Sequence, residues 1–213
     1  KLHVAKVLEL AGATAADATR QADAVIAFET RLATASKSSE EMSRDVSLYY
    51  NPISPADADK LTPNFLWTTF FESQGLAVPE KFSLAMPAFH AEVSKMIADV
   101  PADAWKAFLR YHMIDSASPF LSEAFVQEHY AFHNQAMAGQ KEQKARWKRV
   151  LGAIENNAGE AMGQLYVKVA FPPESKAKME ELVKNLSIAF KARIEQLSWM
   201  SDETKKKALD KLA

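Results

Sequence analysis

The segment KARWKRVLGAIENNAGEAMGQLYVKVAFPPE, residues 144–174, carries the strongest hydrophobic periodicity in the chain. Apolar side chains recur every three or four residues along it, which places them on one face of an α-helix. These positions are Trp147, Val150, Leu151, Ile154, Ala158, Ala161, Met162, Leu165 and Val169. Phe171-Pro172-Pro173 ends the helix, and Pro173 suits the first turn of a second helix because no backbone N–H is needed there. The segment therefore predicts two long helices separated by a short break.

The rest of the chain also shows apolar residues at helical spacing and residues suited to helix caps. Thr14, Ser54 and Ser201 each stand where a side-chain oxygen can accept a hydrogen bond from the first turn of a helix. Gly75 is placed to end a helix. The polar stretch 36–45 predicts a loop.

Only one stretch has the alternation expected of a strand, at Phe82, Leu84 and Met86. We therefore predict an all-α fold, a multi-helix bundle-like lobe with at most one short strand or hairpin, which forms a single helical domain over residues 1–213. Sustained apolar stripes predict the following buried residues: Trp105, Phe108, Trp147, Ile154, Leu165, Leu186, Phe190 and Ile194.

Two of the glycines in the strongest helix lie one turn apart. Gly159 and Gly163 each cost up to about 1 kcal/mol relative to alanine within a helix. We expect them to allow a close crossing by the helix that follows the Phe-Pro-Pro break.

Composition excludes several classes of function. A net charge of −1 with both signs interspersed leaves no basic stripe for nucleic acid. The chain contains no cysteine, so neither disulfides nor a cysteine nucleophile is available. No apolar run approaches the roughly 18 residues of a transmembrane helix. Both ends lie within amphipathic sequence, so we expect a fragment of a longer polypeptide.

The pair His129 and His133 raises the question of a metal site, because residues four apart lie on one helical face. The H-E-x-x-H motif of zinc peptidases needs glutamate after the first histidine, where Tyr130 stands, and the inverted motif needs it where Phe132 stands. Four further residues can in principle complete a structural site: His3, His90, His112 and Glu128. Helical histidine pairs also occur by chance, and we favour partly exposed polar residues without metal.

Two other polar residues fall on apolar helical faces. Glu29 is expected either to reach the surface or to be buried with a donor in a structural ion pair. His112 is expected to be a hydrogen-bonded core residue rather than a ligand.

Ordered motifs along the chain resemble those of the neprilysin and endothelin-converting-enzyme family of zinc metallopeptidases. Residues 159–167, GEAMGQLYV, and residues 171–176, FPPESK, are similar to the family signature G-E-A-x-G-x-L-Y-V…F…E-S-K. Residues 197–212 are similar to L-x-W-M-x-x-x-T-K-x-x-A…K-L. Further matches in the same order are Tyr50-Asn51-Pro52, Trp105 with Tyr111, residues 121–125 and residues 146–149.

The resemblance implies the amino-terminal, mostly helical lobe of such an enzyme, which faces a thermolysin-like catalytic lobe of the same polypeptide across an enclosed cavity. Peptides are the implied substrates and Zn²⁺ is the implied cofactor of the full-length parent. The zinc-binding H-E-x-x-H and its base belong beyond residue 213, so we assign no catalytic, cofactor-binding or metal residue to this chain. The resemblance thus favours a structural role for His129 and His133.

One departure from the family pattern concerns the kind of organism from which the full-length parent comes. Vertebrate members of the family tend to carry cysteine where this chain has Val150, so the resemblance implies a bacterial peptidase O-like parent that is periplasmic or otherwise extracytoplasmic. The alternative function is a non-catalytic helical interaction or scaffold module of related ancestry.

Overall fold

The computed structural model describes residues 1–212, which are mostly helical. The first 143 residues contain α1 (Leu2–Leu10), α2 (Ala15–Ala35), α3 (Ser39–Arg44), β1 (Pro52–Ile53), α4 (Pro55–Leu61), α5 (Trp67–Ser73), β2 (Phe82–Ser83), α6 (Pro87–Asp99), α7 (Ala102–Ala117), α8 (Glu123–His129) and a π-helical segment (Tyr130–Met137). The rest contains α9 (Arg146–Ala170), α10 (Pro173–Gln196) and α11 (Asp202–Leu212). The prediction of an all-α fold is confirmed.

The described residues group into two compact units, one from Lys1 to Gln143 and one from Lys144 onward. The single domain predicted over residues 1–213 stays a prediction. Among the helices of residues 1–212, none is both long and apolar enough to cross a membrane.

The core of the first unit forms where α1, α2 and α7 pack against one another. Side chains three or four residues apart point inward from each helix, as an amphipathic pattern requires. The buried cluster consists of Val4, Val7, Leu8, Ala18, Ala22, Val25, Ala107 and Tyr111. Small alanines on α2 let α1 approach closely, so the amino-terminal helix is held along its whole inner face.

Aromatic rings extend this core at its edge. Phe28 of α2 stacks on Phe108 at 4.2 Å between ring centroids and meets Trp105 edge-on at 4.6 Å. Phe108 and Trp105 are half-buried, which is less than the full burial predicted for them. Aromatic pairs of this geometry contribute about 0.5–1.5 kcal/mol beyond the area they bury.

A charged link joins α2 to α6. The guanidinium of Arg31 donates two parallel hydrogen bonds to the carboxylate of Asp99, at 2.8 and 3.0 Å, and a third to Glu92 at 2.7 Å. These bonds hold the pKa of the Asp99 carboxyl below its ordinary value. A two-pronged arginine pair fixes orientation as well as distance, so it sets the position of α6.

Three predicted helix caps are confirmed. Thr14, Ser54 and Ser201 each accept a hydrogen bond from a backbone N–H in the first turn of α2, α4 and α11. The loop predicted over residues 36–45 was wrong, because most of it forms α3. Ser38 and Glu41 cap that helix reciprocally, a pattern that serine followed three residues later by glutamate already signals.

The two strands pair antiparallel, with Pro52 opposite Ser83 and Ile53 opposite Phe82. The strand predicted from Phe82 is therefore present but short, and its partner at Pro52 was not predicted. Met86, predicted to continue the strand, instead has φ of 47° and precedes α6. Its backbone N–H donates to the carbonyl of Leu48 at 2.6 Å, which ends the pairing.

The second unit leaves the apolar stripes of its helices largely exposed. The prediction of burial was wrong for five residues of α9 and α10: Trp147, Ile154, Leu165, Leu186 and Phe190. Ile194 is half-buried. Periodicity identified the apolar face of each helix, but this chain supplies little that covers those faces.

The close crossing predicted at Gly159 and Gly163 was also wrong. A methyl group added at Gly163 meets no other atom within 4 Å, and one at Gly159 meets only a side-chain carbon of Glu155, at 4.0 Å. The backbone of α9 is instead broken at Ala158, where φ is −143° and ψ is 30°.

Replacing Gly163 with alanine should stabilise the 213-residue chain by about 0.5–1 kcal/mol, because alanine lowers the backbone entropy lost on forming the helix and no neighbouring group obstructs its methyl. Gly75→Ala is the control and should destabilise, since Gly75 has φ of +68°, which alanine rarely adopts. The denaturation midpoint measures both. A lower midpoint for Gly163→Ala would restore the close-crossing model.

Candidate functional site

Three histidine side chains from separate parts of the first unit converge on Asp115. His3 projects from α1, Asp115 lies near the end of α7, His129 ends α8, and His133 lies in the π-helical segment. Glu128 of α8 stands on the far side of His3. The packing of α1 against α7 and α8 brings these residues together. We call this group the histidine cluster.

Asp115 is the centre of the cluster. Its Oδ1 lies 3.1 Å from Nε2 of His3, and its Oδ2 lies 2.8 Å from Nε2 of His133. Nδ1 of His129 is 3.4 Å from the same Oδ1. One buried carboxylate therefore faces three imidazoles.

His3 is held on every side. Its Nδ1 lies 2.8 Å from Oε1 of Glu128, so both ring nitrogens face carboxylates. The ring of Phe132 stacks on it at 4.1 Å with an angle of 8° between the planes, and Tyr111 meets it edge-on at 6.1 Å. Only 4% of the His3 side chain is exposed. The ring consequently has one orientation.

The charges of the cluster come from its own members. Within residues 1–212, neither Asp115 nor Glu128 forms an ion pair with lysine or arginine. Burial alone raises the pKa of Asp115, but hydrogen bonds and charge attraction from His133 and His3 outweigh burial and leave that pKa below its ordinary value. Asp115 is therefore an ionised carboxylate that faces imidazoles.

The structure shows which of the histidines considered from the sequence lie in the cluster and which lie elsewhere. His129 and His133 do share a face, and His3 and Glu128 do join them. His90 lies elsewhere, half-buried with its ring edge-on to Trp67 at 5.2 Å.

His112 was wrongly predicted to be a core residue. Its side chain is 46% exposed, and its Nε2 lies 2.8 Å from Oε1 of Glu29. Glu29 has this donor, but its side chain is 38% exposed and therefore not buried with it.

Sequence reasoning did not single out Asp115, although a signal was present. Asp115 follows Tyr111 by four residues on the inner face of α7, and an acid on an apolar face needs a buried partner. The π-helical turns after His129 were also not predicted, since π-helices have no marked sequence signature. Such turns are often found at functional sites.

The cluster does not fit the catalytic zinc motif of peptidases. That motif requires a glutamate base next to the first histidine, and Tyr130 stands there, with its hydroxyl donating to the carbonyl of Gln140 at 3.2 Å. H-E-x-x-H is absent from the whole sequence. We therefore derive no hydrolytic step from the cluster.

A second feature is the apolar surface of the second unit. Most of the long apolar side chains of α9 and α10 are 40% or more exposed, more than isolated surface residues account for. The most exposed are Trp147 at 65%, Leu165 at 61%, Tyr166 at 63%, Val169 at 90% and Phe190 at 61%. We call this the exposed apolar surface.

Comparison with known proteins places the chain in a family. The amino-terminal family model of Peptidase family M13 matches residues 1–213. This chain belongs to Peptidase family M13. The family membership expected from the sequence motifs is thereby confirmed.

Named relatives agree with this assignment. Endothelin-converting enzyme-like 1 of Rattus norvegicus is 29% identical over 218 residues, which cover 100% of this chain and 28% of the relative. Neutral endopeptidase of Lactobacillus helveticus is 29% identical over 209 residues, covering 97% of this chain and 32% of the relative. The chain thus spans about a third or less of the relatives' length.

A solved structure gives the same result. The zinc metalloprotease ZMP1 of Mycobacterium tuberculosis, in complex with an inhibitor, superposes with a TM-score of 0.82 at 30% identity. The match covers 99% of this chain and 32% of that protein. The helical fold of an M13 protein's amino-terminal part is therefore shared by this chain.

His3→Ala should lower the free energy of unfolding by about 1–3 kcal/mol, because it removes one of the hydrogen-bond partners of the buried Asp115 and the imidazole partner of the half-buried Glu128. His112→Ala removes an imidazole of the same size from a half-exposed pair and should cost less than about 1 kcal/mol. Chemical denaturation in the presence of a chelator measures both. Equal midpoints for the two variants would show that the histidine cluster does not stabilise the fold.

Proposed function

We propose that this chain forms the helical, substrate-enclosing part of a zinc-dependent endopeptidase or oligopeptidase, and that another segment of the same polypeptide carries out the chemistry. One observation carries the proposal: the family match extends over residues 1–213, yet those residues contain no H-E-x-x-H. The longer polypeptide implied here is called the parent.

The names of relatives and of a structural neighbour support peptide hydrolysis as the parent's reaction. They are described as an endothelin-converting enzyme-like protein, a neutral endopeptidase and a zinc metalloprotease. Zn²⁺ in such enzymes lowers the pKa of a bound water so that it can attack a peptide carbonyl. The ligands for that ion are not among the residues of this chain, whose contribution is to shape and enclose the space that a peptide enters.

The exposed apolar surface supports a partner within the parent. Apolar area of this extent favours burial, at about 25 cal/mol per Å² removed from water. The catalytic lobe of the parent is the proposed partner because the chain accounts for only 28–32% of the relatives' length, which leaves ample polypeptide to cover it. Charges interspersed along α9, such as Arg149 and Lys168, keep the surface from being uniformly apolar.

Enclosure also predicts the class of substrate. A lobe that walls off a cavity admits flexible peptides and excludes folded proteins by size, and its net charge of −1 offers no attraction for nucleic acid. Peptides are therefore the proposed substrates.

The purified 213-residue chain with added Zn²⁺ should not hydrolyse a fluorogenic peptide, because it lacks the base and the metal-bound water that hydrolysis requires. The parent should hydrolyse the same peptide, should lose activity in a chelator and should regain it with Zn²⁺. Fluorescence increase over time measures all three.

Two outcomes would contradict the proposal. Chelator-sensitive hydrolysis by the 213-residue chain would place the chemistry in this chain. A parent that folds, binds Zn²⁺ and cleaves no peptide would instead favour a non-catalytic helical interaction module.

A further inference from the structure

We propose that the histidine cluster is a structural binding site for one divalent cation of the Zn²⁺ class, with His3, Asp115 and His133 as ligands. Nitrogen or oxygen atoms of these three side chains all lie within 4.8 Å of one another. The site would tie the amino-terminal helix α1 to α7 and to the π-helical segment. This departs from the sequence-based expectation that the chain holds no metal, which no observation tests.

The count of hydrogen atoms around His3 is the first argument. A neutral imidazole has one N–H and one lone pair, and an ionised carboxylate can only accept. Nδ1 of His3 is 2.8 Å from Glu128, and Nε2 is 3.1 Å from Asp115. If His3 is neutral, only one of these nitrogens carries a hydrogen. The lone pair of the other nitrogen then faces a carboxylate oxygen, which is repulsive. A cation bound at Nε2 removes that conflict, because Nδ1–H then donates to Glu128 and the lone pair of Nε2 binds the metal.

Glu128 occupies the position of an outer partner in such a site. Histidine ligands in metalloproteins generally donate their second ring N–H to a carboxylate or carbonyl, which fixes the ring and increases its basicity. The contact between His3 Nδ1 and Glu128 Oε1 has this arrangement. The stacked ring of Phe132 and the edge of Tyr111 restrain His3 further, so the ligand is oriented before any ion arrives.

Distances and charge fit a tetrahedral ion. Bonds of about 2.0–2.1 Å in a tetrahedral zinc site separate ligand atoms by roughly 3.3 Å. The two contacts of Asp115, from Oδ1 to His3 at 3.1 Å and from Oδ2 to His133 at 2.8 Å, are shorter than this separation by about 0.5 Å or less. A charge of +2 also balances Asp115 and Glu128, which have no lysine or arginine partner in the described part of the chain.

A fourth ligand is available at the end of α8, directly before the π-helical segment that carries His133. His129 lies four residues before His133, with ring centroids 4.4 Å apart, and its Nδ1 already faces Asp115 at 3.4 Å. Three histidines and one aspartate form a donor set suited to Zn²⁺, whose structural sites are four-coordinate. The half-exposed ring of His133, at 38% of its side chain, provides the route by which an ion reaches the buried ligands.

The test is a Zn²⁺ titration of the chelator-treated 213-residue chain at neutral pH. We expect one Zn²⁺ per chain and a higher melting temperature with zinc, because a ligand that binds only the folded state stabilises it. His133→Gln should weaken binding at least about 100-fold, and Glu128→Gln about 10-fold or more, the range found when outer partners of metal sites are lost. His112→Gln, outside the cluster, should leave the affinity unchanged.

The wild-type chain also tests the proposal without mutations, by ¹⁵N NMR of the imidazole rings. Zinc should shift the Nε2 signals of His3 and His133 and leave those of His90 and His112 in place. The proposal is overturned if no zinc binds, if His133→Gln binds as tightly as wild type, or if His3 stays protonated at both nitrogens throughout the titration. The last result would identify the cluster as a buried imidazolium between two carboxylates.

Discussion

The burial of α1 against α2 and α7 is the constraint on which the first unit depends. Val4, Val7 and Leu8 are all nearly inaccessible, and each such side chain contributes about 1.5–3 kcal/mol when removed from water. Their spacing leaves α1 a single rotation about its axis. That rotation carries His3 to Asp115, a residue 112 positions later in the chain. The geometry of the histidine cluster thus depends on the apolar interface next to it. The cluster and the interface together hold the amino-terminal helix in place.

The two units differ in how far their apolar side chains are buried. In the first unit, stripes on several helices meet, and small alanines on α2 permit close approach. In the second, α9 and α10 carry equally regular stripes, yet their large side chains stay exposed. A helix that is amphipathic but uncovered is stable only when something else removes its apolar face from water. Membership in Peptidase family M13, with relatives more than three times as long, gives that observation its simplest explanation, since the remaining polypeptide can supply the cover.

Local features were predicted well from the sequence. Thr14, Ser54 and Ser201 mark helix starts, and Pro173 begins α10 as expected, because capping and proline geometry depend on neighbouring residues alone. Long-range features were not. Periodicity identified an apolar face around Leu165, but it carries no information about what covers that face, and the predicted burial was wrong.

The candidate site was predicted in part for the same reason. His129 and His133 were recognised as a pair because they lie one turn apart, and His3 and Glu128 were named among several possible partners. The choice between His3, His90 and His112 depends on how α1 packs, which local sequence does not determine. Asp115, at the centre of the cluster, was missed although an acid on an apolar helical face is a readable signal. The family motifs identified the chain more completely than its site, because they extend over nearly its whole length.

Hydrogen–deuterium exchange of the 213-residue chain and of the parent tests the proposal that this chain is a partly self-sufficient part of a longer M13 polypeptide. The account predicts slow exchange of α1, α2 and α7 in both proteins, because their core is complete within the first unit. It predicts fast exchange of α9 and α10 in the chain alone and strong protection of the same helices in the parent. Equal protection of α9 and α10 in the two proteins would contradict the account, since the exposed apolar surface would then have no partner in the parent.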